Sequence, residues 1–367
     1  MGLGGGMDWN AIVSDGTCVQ WIATILKVLI VVIGAVNIPP IMVWLERRAP
    51  ALMQRRRGPN RVGFFGLRLW GLLQSLADAI KLIFKEEAPP DGAAKWFYHL
   101  GPIFSLFPAL MVLGCISFGP DITVLGVQIP LQVIRVQMGF LFILAMSGMG
   151  IYGVVLAGWA ANNKFSLLGS LRASAQMVSY EIPMGLSLVP IVLIYDSLDL
   201  LNIIEAQGAI WRWGIFLAPV SFMIFLVTMF AETNRVPFDL AEGESELVAG
   251  FHTEFGSAKF ALFFLSEYVN MFALSCLCAS LFFGGWQIPF ISMAKLAHFL
   301  GSSNLAALCG VLCLLLKAAF FMWLFVWVRW TIPRFRYDQL MQLGWKFLMP
   351  VGLVNIVLTA LVLSLLF

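Results

Sequence analysis

The chain has 367 residues, of which 60% are hydrophobic and only 12% are charged. Ordinary soluble domains are about 45–50% apolar and about 25% charged. A water-exposed domain of this length could not cover so much apolar surface with so few charged side chains. This excludes a soluble enzyme, a disordered chain and a disulfide scaffold. The composition therefore predicts an integral membrane protein.

The charged residues and the cysteines argue against two further classes of protein. Lys and Arg number 23 against 20 Asp and Glu, a balance too even for a nucleic-acid surface. The six cysteines include no CxxC pair, and the three histidines stand far apart in the chain. Neither set has the ligand spacing of a zinc, iron–sulfur or haem site. We therefore expect no metal site, and any redox cofactor has to be held by a partner.

Hydrophobic stretches long enough to cross a bilayer, roughly 20 residues each, recur along the whole chain. Eight of them lie near residues 20–45, 98–118, 133–161, 174–195, 211–231, 259–284, 305–330 and 346–366. They predict an all-α polytopic membrane protein with about eight transmembrane helices, forming one membrane domain over residues 1–367. No internal repeat accompanies them, which gives no support to a pseudo-symmetric transporter.

Basic residues are concentrated in the loops on one side of the predicted spans. These loops carry 18 of the 23 Lys and Arg residues. Positively charged loops stay on the cytoplasmic side of a membrane. We therefore expect cytoplasmic segments at 46–97, 232–258 and 331–346, the second acidic and the third basic. Both termini are expected on the opposite side.

The first cytoplasmic segment contains a stretch with helical periodicity. Gln74, Asp78, Lys81 and Lys85 fall on one face, and leucines and isoleucines occupy the other. The pattern predicts an amphipathic helix that lies along the membrane surface. Anchoring to lipid would by itself explain this pattern.

Carboxylates are concentrated where membrane topology does not require them. Six lie within 23 residues: Glu232, Asp239, Glu242, Glu244, Glu246 and Glu254. Two more, Glu181 and Glu267, lie in predicted spans, where an ionised carboxylate costs about 2.5–3.5 kcal/mol and faces the bundle interior.

Structural explanations exist for both groups of carboxylates, namely a solvated loop for the six and ion pairing for the other two. However, apolar residues interleave the six, and neither Glu181 nor Glu267 has a basic residue within one helical turn. Burial and mutual repulsion both favour the neutral acid. We interpret the eight carboxylates as a proton relay.

Two segments are rich in arginine, namely ERRAPALMQRRRGPNR and RWTIPRFRYDQLMQLGWK. Topology accounts for much of their charge, but not for arginine beside aromatic residues and glutamine at membrane depth. Arg334, Arg336, Gln54 and Trp70 would suit a polar headgroup at the mouth of an apolar cavity. Lys317, in the middle of a predicted span, is expected to be an interior partner for an acid.

Six stretches together resemble the H-type membrane subunit of proton-pumping NADH–quinone oxidoreductase, respiratory complex I. They are LERRAPALMQRRRGPNRVG, LLQSLADAIKLIFKE, RASAQMVSYEIP, AETNRVPFDLAEGESELVAGFHTEF, FFLSEYVN and PRFRYDQLMQLGWK. They occur in the family's order and cover residues from about 45 to 346. The acidic stretch and PRFRYDQLM are long and specific.

The resemblance implies a subunit that forms part of the chamber in which quinone is reduced and couples this reduction to proton pumping. Matched by motif, the chamber residues would be Arg47, Gln54, Asp78, Arg235, Phe264, Arg334 and Arg336. The relay would be Glu181, Glu232, Asp239, Glu242, Glu244, Glu246, Glu254 and Glu267.

The resemblance also implies the surroundings of the chain. Quinone would be the substrate, and FMN and the iron–sulfur clusters would be held by partner subunits. Expected partners are the peripheral-arm subunits at the quinone site and the terminal iron–sulfur cluster, the small membrane subunits, and the lipid bilayer. Nucleic acid is not expected. The location would be an energy-transducing membrane, in bacteria the inner membrane.

Two other functions remain open from the sequence. A free-standing proton-coupled transporter would use the same buried acids, and it predicts activity of the purified single chain. A structural anchor would use its acids only to dock a basic partner, and it predicts unchanged turnover when several acids are neutralised.

Overall fold

A computed structural model describes residues 16–63, 69–124, 126–241 and 243–366 of the chain. The α-helices in these ranges are α1 Gly16–Met53, α2 Leu73–Phe84, α3 Lys95–Cys115, α4 Gly139–Ala160, α5 Lys164–Tyr195, α6 Leu200–Ala206, α7 Gly214–Leu217, α8 Pro219–Glu232, α9 Glu244–Leu247, α10 Ser257–Phe282, α11 Met293–Leu300, α12 Ser303–Thr331, α13 Tyr337–Gln342 and α14 Met349–Leu366. Single 3-10 turns occur at Leu69–Gly71, Ile210–Arg212 and Gly250–His252, and a π-helical turn, Leu343–Leu348, joins α13 to α14.

Seven helical segments of the described chain are long and apolar enough to cross a bilayer. They are α1, α3, α4, α5, α10, α12 and the continuous stretch Tyr337–Leu365 that runs from α13 into α14. Many of their leucine, isoleucine and tryptophan side chains are exposed on the outside of the bundle. This is the surface expected of helices surrounded by lipid. The prediction of an all-α polytopic membrane protein is confirmed, and α2 forms at the position of the predicted amphipathic helix.

The fifth predicted span, over residues 211–231, is broken. Ala218 leaves the helical region at φ −133° and ψ 61°, and α8 begins at Pro219 and has only 14 residues. Proline lacks the N–H that would continue a preceding helix but suits a first helical position. At 1.5 Å per residue, α8 is about 21 Å long, shorter than the hydrocarbon core of about 30 Å. The predicted span at 211–231 is therefore not one continuous helix of bilayer length.

Other boundaries also differ from the prediction. Helix α1 continues through Glu46 to Met53, so the start of the predicted cytoplasmic segment 46–97 is helical. Before α4, the hairpin of β1 Ile122–Val124 and β2 Val127–Ile129 was not predicted. The side chain of Asn304 accepts a hydrogen bond from the Thr123 N–H and donates one to the Thr123 carbonyl. This fixes the hairpin against α12.

Helix α10 lies at the centre of the bundle, where it contacts α1, α2, α3, α6, α7, α8 and α12. Beside it, α3 and α4 pack closely because glycines replace larger side chains. A Cβ atom at Gly153 would lie 2.5 Å from the Ser105 backbone nitrogen, and one at Gly101 would lie 3.2 Å from the Ala157 Cβ. Small residues allow such close backbone approach between membrane helices.

Lys317 of α12 binds the end of α10. Its ammonium donates to the carbonyls of Phe283, Gly285 and Gln287 at 2.7, 2.8 and 2.7 Å. It also lies 4.8 Å from the ring centroid of Trp213. The expectation that Lys317 pairs with an acid is wrong. Three backbone carbonyls directly after α10 accept hydrogen bonds from the ammonium, so this cation is stabilised without a carboxylate.

We expect Lys317→Met to lower the free energy of unfolding by about 3 kcal/mol, because three buried carbonyls lose a charged donor. The measurement is the thermal midpoint of the purified, detergent-solubilised protein. Lys295→Met is the matched control, since Lys295 on α11 is exposed. Equal midpoints for the two variants would contradict this role of Lys317.

Candidate functional site

Charged side chains from α1, α10, α12 and the loop after α8 meet in the bundle interior. Oε2 of Glu46 accepts a hydrogen bond from Arg329 Nη1 at 2.6 Å and another from the Tyr268 hydroxyl at 2.8 Å. Arg235 lies between the two carboxylates, with Nη1 3.6 Å from Glu46 Oε1 and Nη2 3.4 Å from Glu267 Oε2. We call these five residues the central charge network.

The central charge network is largely removed from solvent. The side chains of Arg235, Glu46 and Glu267 are 9, 11 and 16% exposed. The guanidinium of Arg235 also lies 4.2 Å from the ring centroid of Tyr268, within the range of a cation–π contact. Two carboxylates thus face two guanidiniums, the arrangement that makes buried charge tolerable.

The sequence predicted two members of this network, Arg235 and Glu267, and missed Glu46, Tyr268 and Arg329. Its only signal for Glu46 was an acid at the end of a span, directly before two arginines. Glu267 has no basic residue within one turn of its own helix, yet Arg235 reaches it from a different segment. Ion pairing of Glu267, which remained open from the sequence, is therefore present in the structure.

A cavity of about 40 Å³ lies beside the central charge network. Its polar lining includes Ser105 of α3, Ser147 of α4, Glu232 of α8, and Glu267 and Asn270 of α10. The side chain of Glu267 therefore belongs both to the network and to the cavity wall. A polar cavity needs about 10–15 Å³ to hold one water molecule, so this one has room for water.

Glu232 is the most deeply buried of the described carboxylates that line this cavity. Its residue is 1% exposed, and neither carboxylate oxygen has a hydrogen-bond partner in the described part of the chain. Most buried polar groups are hydrogen-bonded to protein or to water. A polar cavity of this size has room for water molecules, which would satisfy such a carboxyl group.

Other features of the cavity wall are two bonded hydroxyls and one open position. The Ser105 hydroxyl donates to the Ser266 hydroxyl at 2.8 Å, and Ser266 donates to the Ser105 carbonyl at 2.7 Å. Gly150 of α4 also lines the cavity, and a Cβ atom there would meet no atom within 4 Å. A side chain introduced at position 150 would thus enter open space.

Glu181 lies on α5 against α4 and does not line this cavity. A Cβ atom at Gly148 would come 2.6 Å from Glu181 Oε1, so only glycine at position 148 leaves room for the carboxylate as it lies. Glu181 is half-buried and close enough to Glu232 for their charges to repel each other. Together with Glu267, these two residues form the interior group of carboxylates.

The predicted relay residues of the acidic loop have individual partners instead. Asp239 Oδ2 is 3.0 Å from Arg334 Nη2, and Glu246 Oε2 is 2.6 Å from Arg172 Nη1. Glu254 Oε1 accepts a hydrogen bond from the Asn163 side chain at 2.6 Å. Glu242 lies outside the described residues, as does the side chain of Glu244, whose backbone begins α9.

Four predicted chamber residues lie on α1, α2 and α10 or directly after α1. Arg47 Nη1 and Asp78 Oδ2 form an ion pair at 2.6 Å, which joins the end of α1 to α2. Gln54 directly follows α1 and is exposed. Phe264 lies one turn before Tyr268 on α10, with ring centroids 5.8 Å apart. Phe264 therefore packs directly against the central charge network.

Arg334 and Arg336 line a different cavity, of about 250 Å³, together with Leu240, Gly243, Glu246 and Phe335. Gln54 and Trp70 are not part of its lining. This cavity therefore brings together two of the four side chains, Arg334 and Arg336. The Trp70 carbonyl instead accepts hydrogen bonds from the side chains of Trp44 and Arg48 near the end of α1.

The end of α2 is bound to the first turn of α10. The Ser257 hydroxyl lies within hydrogen-bond distance of the Lys85 carbonyl at 2.5 Å and the Leu82 carbonyl at 3.2 Å. Lys259 Nζ forms an ion pair with Glu87 at 2.8 Å. Residues 82–87 are therefore held against the first turn of α10.

Within the described ranges, no group of three or more His, Cys, Asp or Glu side chains could hold a metal ion.

Comparison with known proteins identifies the family. The sequence model of the NADH dehydrogenase family matches residues 25–360. An H-type subunit of NADH-quinone oxidoreductase from Geobacter sulfurreducens is 46% identical over 337 residues, which cover 92% of this chain and 95% of that protein. An H-type subunit from Rhizobium meliloti is 44% identical, covering 93% of this chain and 97% of its own. Another, from Leptospira biflexa, is 46% identical, covering 95% and 94%. The chain therefore belongs to the NADH dehydrogenase family, among the H-type membrane subunits of NADH-quinone oxidoreductase.

Proposed function

We propose that this chain forms part of a quinone-reduction chamber and couples quinone reduction to proton translocation through its interior carboxylates. The single observation that carries the proposal is Glu232. It is a fully buried carboxyl group without a hydrogen-bond partner among the described residues, in a polar cavity that also contains Glu267.

The environment of Glu232 supports a proton carrier rather than a structural acid. A structural glutamate in a membrane interior needs a fixed cation or fixed donors, because an isolated buried charge is costly. Glu267 has such a cation in Arg235, whereas Glu232 faces a cavity with room for water. A carboxyl group in that setting can bind a proton as the neutral acid and release it to water or to a neighbouring acid.

The proposed path runs between the interior carboxylates. A proton would move from Glu267 through the cavity to Glu232, and from there to Glu181 on α5. Asp239, Glu242, Glu244, Glu246 and Glu254 would form the outer part of the relay. There the ion pairs of Asp239 and Glu246 with arginines would open and close as the carboxylates change charge.

The proposed chamber lies on the side of α1, α2 and the central charge network. Arg47, Gln54 and Asp78 would line its entrance, and Arg235 and Phe264 its interior, with Arg334 and Arg336 at the neighbouring loop. Quinone is the substrate of this site on our proposal, and electrons would come from an iron–sulfur cluster of a partner subunit. FMN would also be held by a partner.

The same proposal includes the surroundings of the chain. The peripheral-arm subunits would cover its basic loops, the small membrane subunits would pack beside it, and both termini would face away from the cytoplasm. In bacteria this membrane would be the inner membrane. The concentration of basic residues in the loops on one side supports this orientation.

Glu232→Gln tests the relay in the assembled complex. We expect NADH-driven proton uptake in proteoliposomes to fall about tenfold or more, because an amide cannot bind and release the proton. Glu205→Gln is the matched control, since Glu205 is exposed. Wild-type proton uptake and quinone reduction in Glu232→Gln would remove Glu232 from the relay, and the same assay applies to Glu246→Gln and Glu267→Gln.

Gly150→Val tests the cavity beside Glu232 without changing a carboxylate. Its side chain would occupy space next to Glu232, so we expect proton uptake to fall severalfold in an assembled complex. Gly150→Ser is the control, because it adds a small hydroxyl and leaves room for water. If Gly150→Val and Gly150→Ser pump equally well, water in this cavity is not part of the path.

Asp78→Asn tests the chamber entrance. Loss of the ion pair with Arg47 would loosen α2 from the end of α1, and we expect the KM for a short-chain quinone to rise severalfold. A photoreactive quinone analogue should also label peptides that contain Gln54 or Asp78. Asp121→Asn, an exposed acid beside the hairpin, is the control, and an equal KM in both variants would argue against this location.

A further inference from the structure

A second, larger cavity lies between α1 and α12, and we call it the α1–α12 cavity. Its volume is about 460 Å³, within the range of about 300–1,000 Å³ that is typical of ligand sites. Ile30, Gly34 and Ile38 form the α1 wall at helical spacing, Leu308 and Leu315 form the α12 wall, and Phe272 of α10 is also part of the lining. The walls are apolar except at one end.

Lys27 is the charged residue at that end of the α1–α12 cavity. Its ammonium donates to the carbonyls of Pro130 and Gln132, both at 3.1 Å, in the loop between β2 and α4. Irregular backbone that is not buried in protein lies at the membrane interface rather than in the hydrocarbon, and Arg135, Gln137 and Met138 of this loop are exposed. The ammonium of Lys27 therefore marks the level of the lipid headgroups. One N–H of the ammonium is not used by these two carbonyls. Asp121 attracts the ammonium electrostatically.

The α1–α12 cavity opens sideways into the membrane. Ile30 and Leu308, one on each wall, are 61 and 55% exposed, so the opening lies between the two helices. Away from Lys27, the lining of the cavity offers no polar side chain that could hold water. The molecules present at a lateral opening of a membrane protein are lipids, whose acyl chains match the walls.

We propose that the α1–α12 cavity binds one acyl chain of an anionic phospholipid whose phosphate contacts Lys27. The position of the cation at the headgroup level, with the apolar space extending from it along the helices, matches the layout of a phospholipid. A zwitterionic lipid or a quinone would fit the apolar part but would gain less from the ammonium. Gly34 provides part of the width, because a Cβ there would meet no atom within 4 Å.

The test uses the assembled complex in phosphatidylcholine vesicles that contain a small, equal fraction of a probe lipid. The probe is phosphatidylglycerol or phosphatidylcholine with a diazirine on one acyl chain, and labelled peptides of α1 and α12 are quantified after irradiation. We expect the anionic probe to label the cavity walls about fivefold more than the zwitterionic probe. Lys27→Gln should abolish this preference, and Lys27→Arg should retain it.

Gly34→Phe should remove most of the labelling by both probes, because the ring would fill the cavity. Val36→Phe adds the same bulk to an outward position of α1, which is 52% exposed, and should label like the wild type. Equal labelling of the wild type by both probes would overturn the proposal. So would equal labelling of Gly34→Phe and Val36→Phe. A photoreactive residue at position 308 that cross-links to protein instead of lipid would overturn it too, and would assign the cavity to a partner protein.

Discussion

Charge compensation in a medium of low polarity holds together the helices around the central charge network. Glu46 and Glu267 lie in the interior because Arg235 and Arg329 reach them from the loop after α8 and from α12. Removing one partner from a buried ion pair costs about 3–5 kcal/mol, because the other charge is left uncompensated. The positions of α1, α10 and α12 therefore depend on one another through a few charged atoms. Tyr268 strengthens the arrangement by contacting both an acid and a guanidinium.

Glu232 differs from these ion-paired acids although it lies next to them. Glu267 faces a fixed cation on one side and the small polar cavity on the other. Glu232 has only the cavity, and its charge has no fixed counterpart among the described residues. The site thus combines carboxylates that are paired with fixed cations and a carboxyl group that has no hydrogen-bond partner among the described residues. On our proposal, the first kind fixes the geometry and the second carries the proton.

The sequence predicted what depends on local pattern and missed what depends on distant partners. Hydropathy averaged over about 20 residues located the long helices, but it could not detect that Pro219 restarts a helix in the middle of an apolar stretch. The eight carboxylates were identified by their unusual positions, but their roles differ because of contacts that no local pattern contains. Glu46 and Arg329 are 283 residues apart in the chain. Lys317 was expected to pair with an acid because side-chain chemistry is visible in a sequence, whereas the carbonyls that bind it belong to the backbone.

Residues 82–87 are attached to the first turn of α10, and Glu267 of the central charge network lies further along the same helix. Ser257, at one end of this connection, precedes Glu267 by about 15 Å along the same helix. A displacement of residues 82–87 that moved α10 along its axis would also move Glu267, because both contacts lie on one continuous helix. Even a shift of an ångström would change the spacing between Glu267 and Arg235, and with it the strength of their attraction. The contacts of residues 82–87 and the ion pair of Glu267 with Arg235 are thus joined by a single helix.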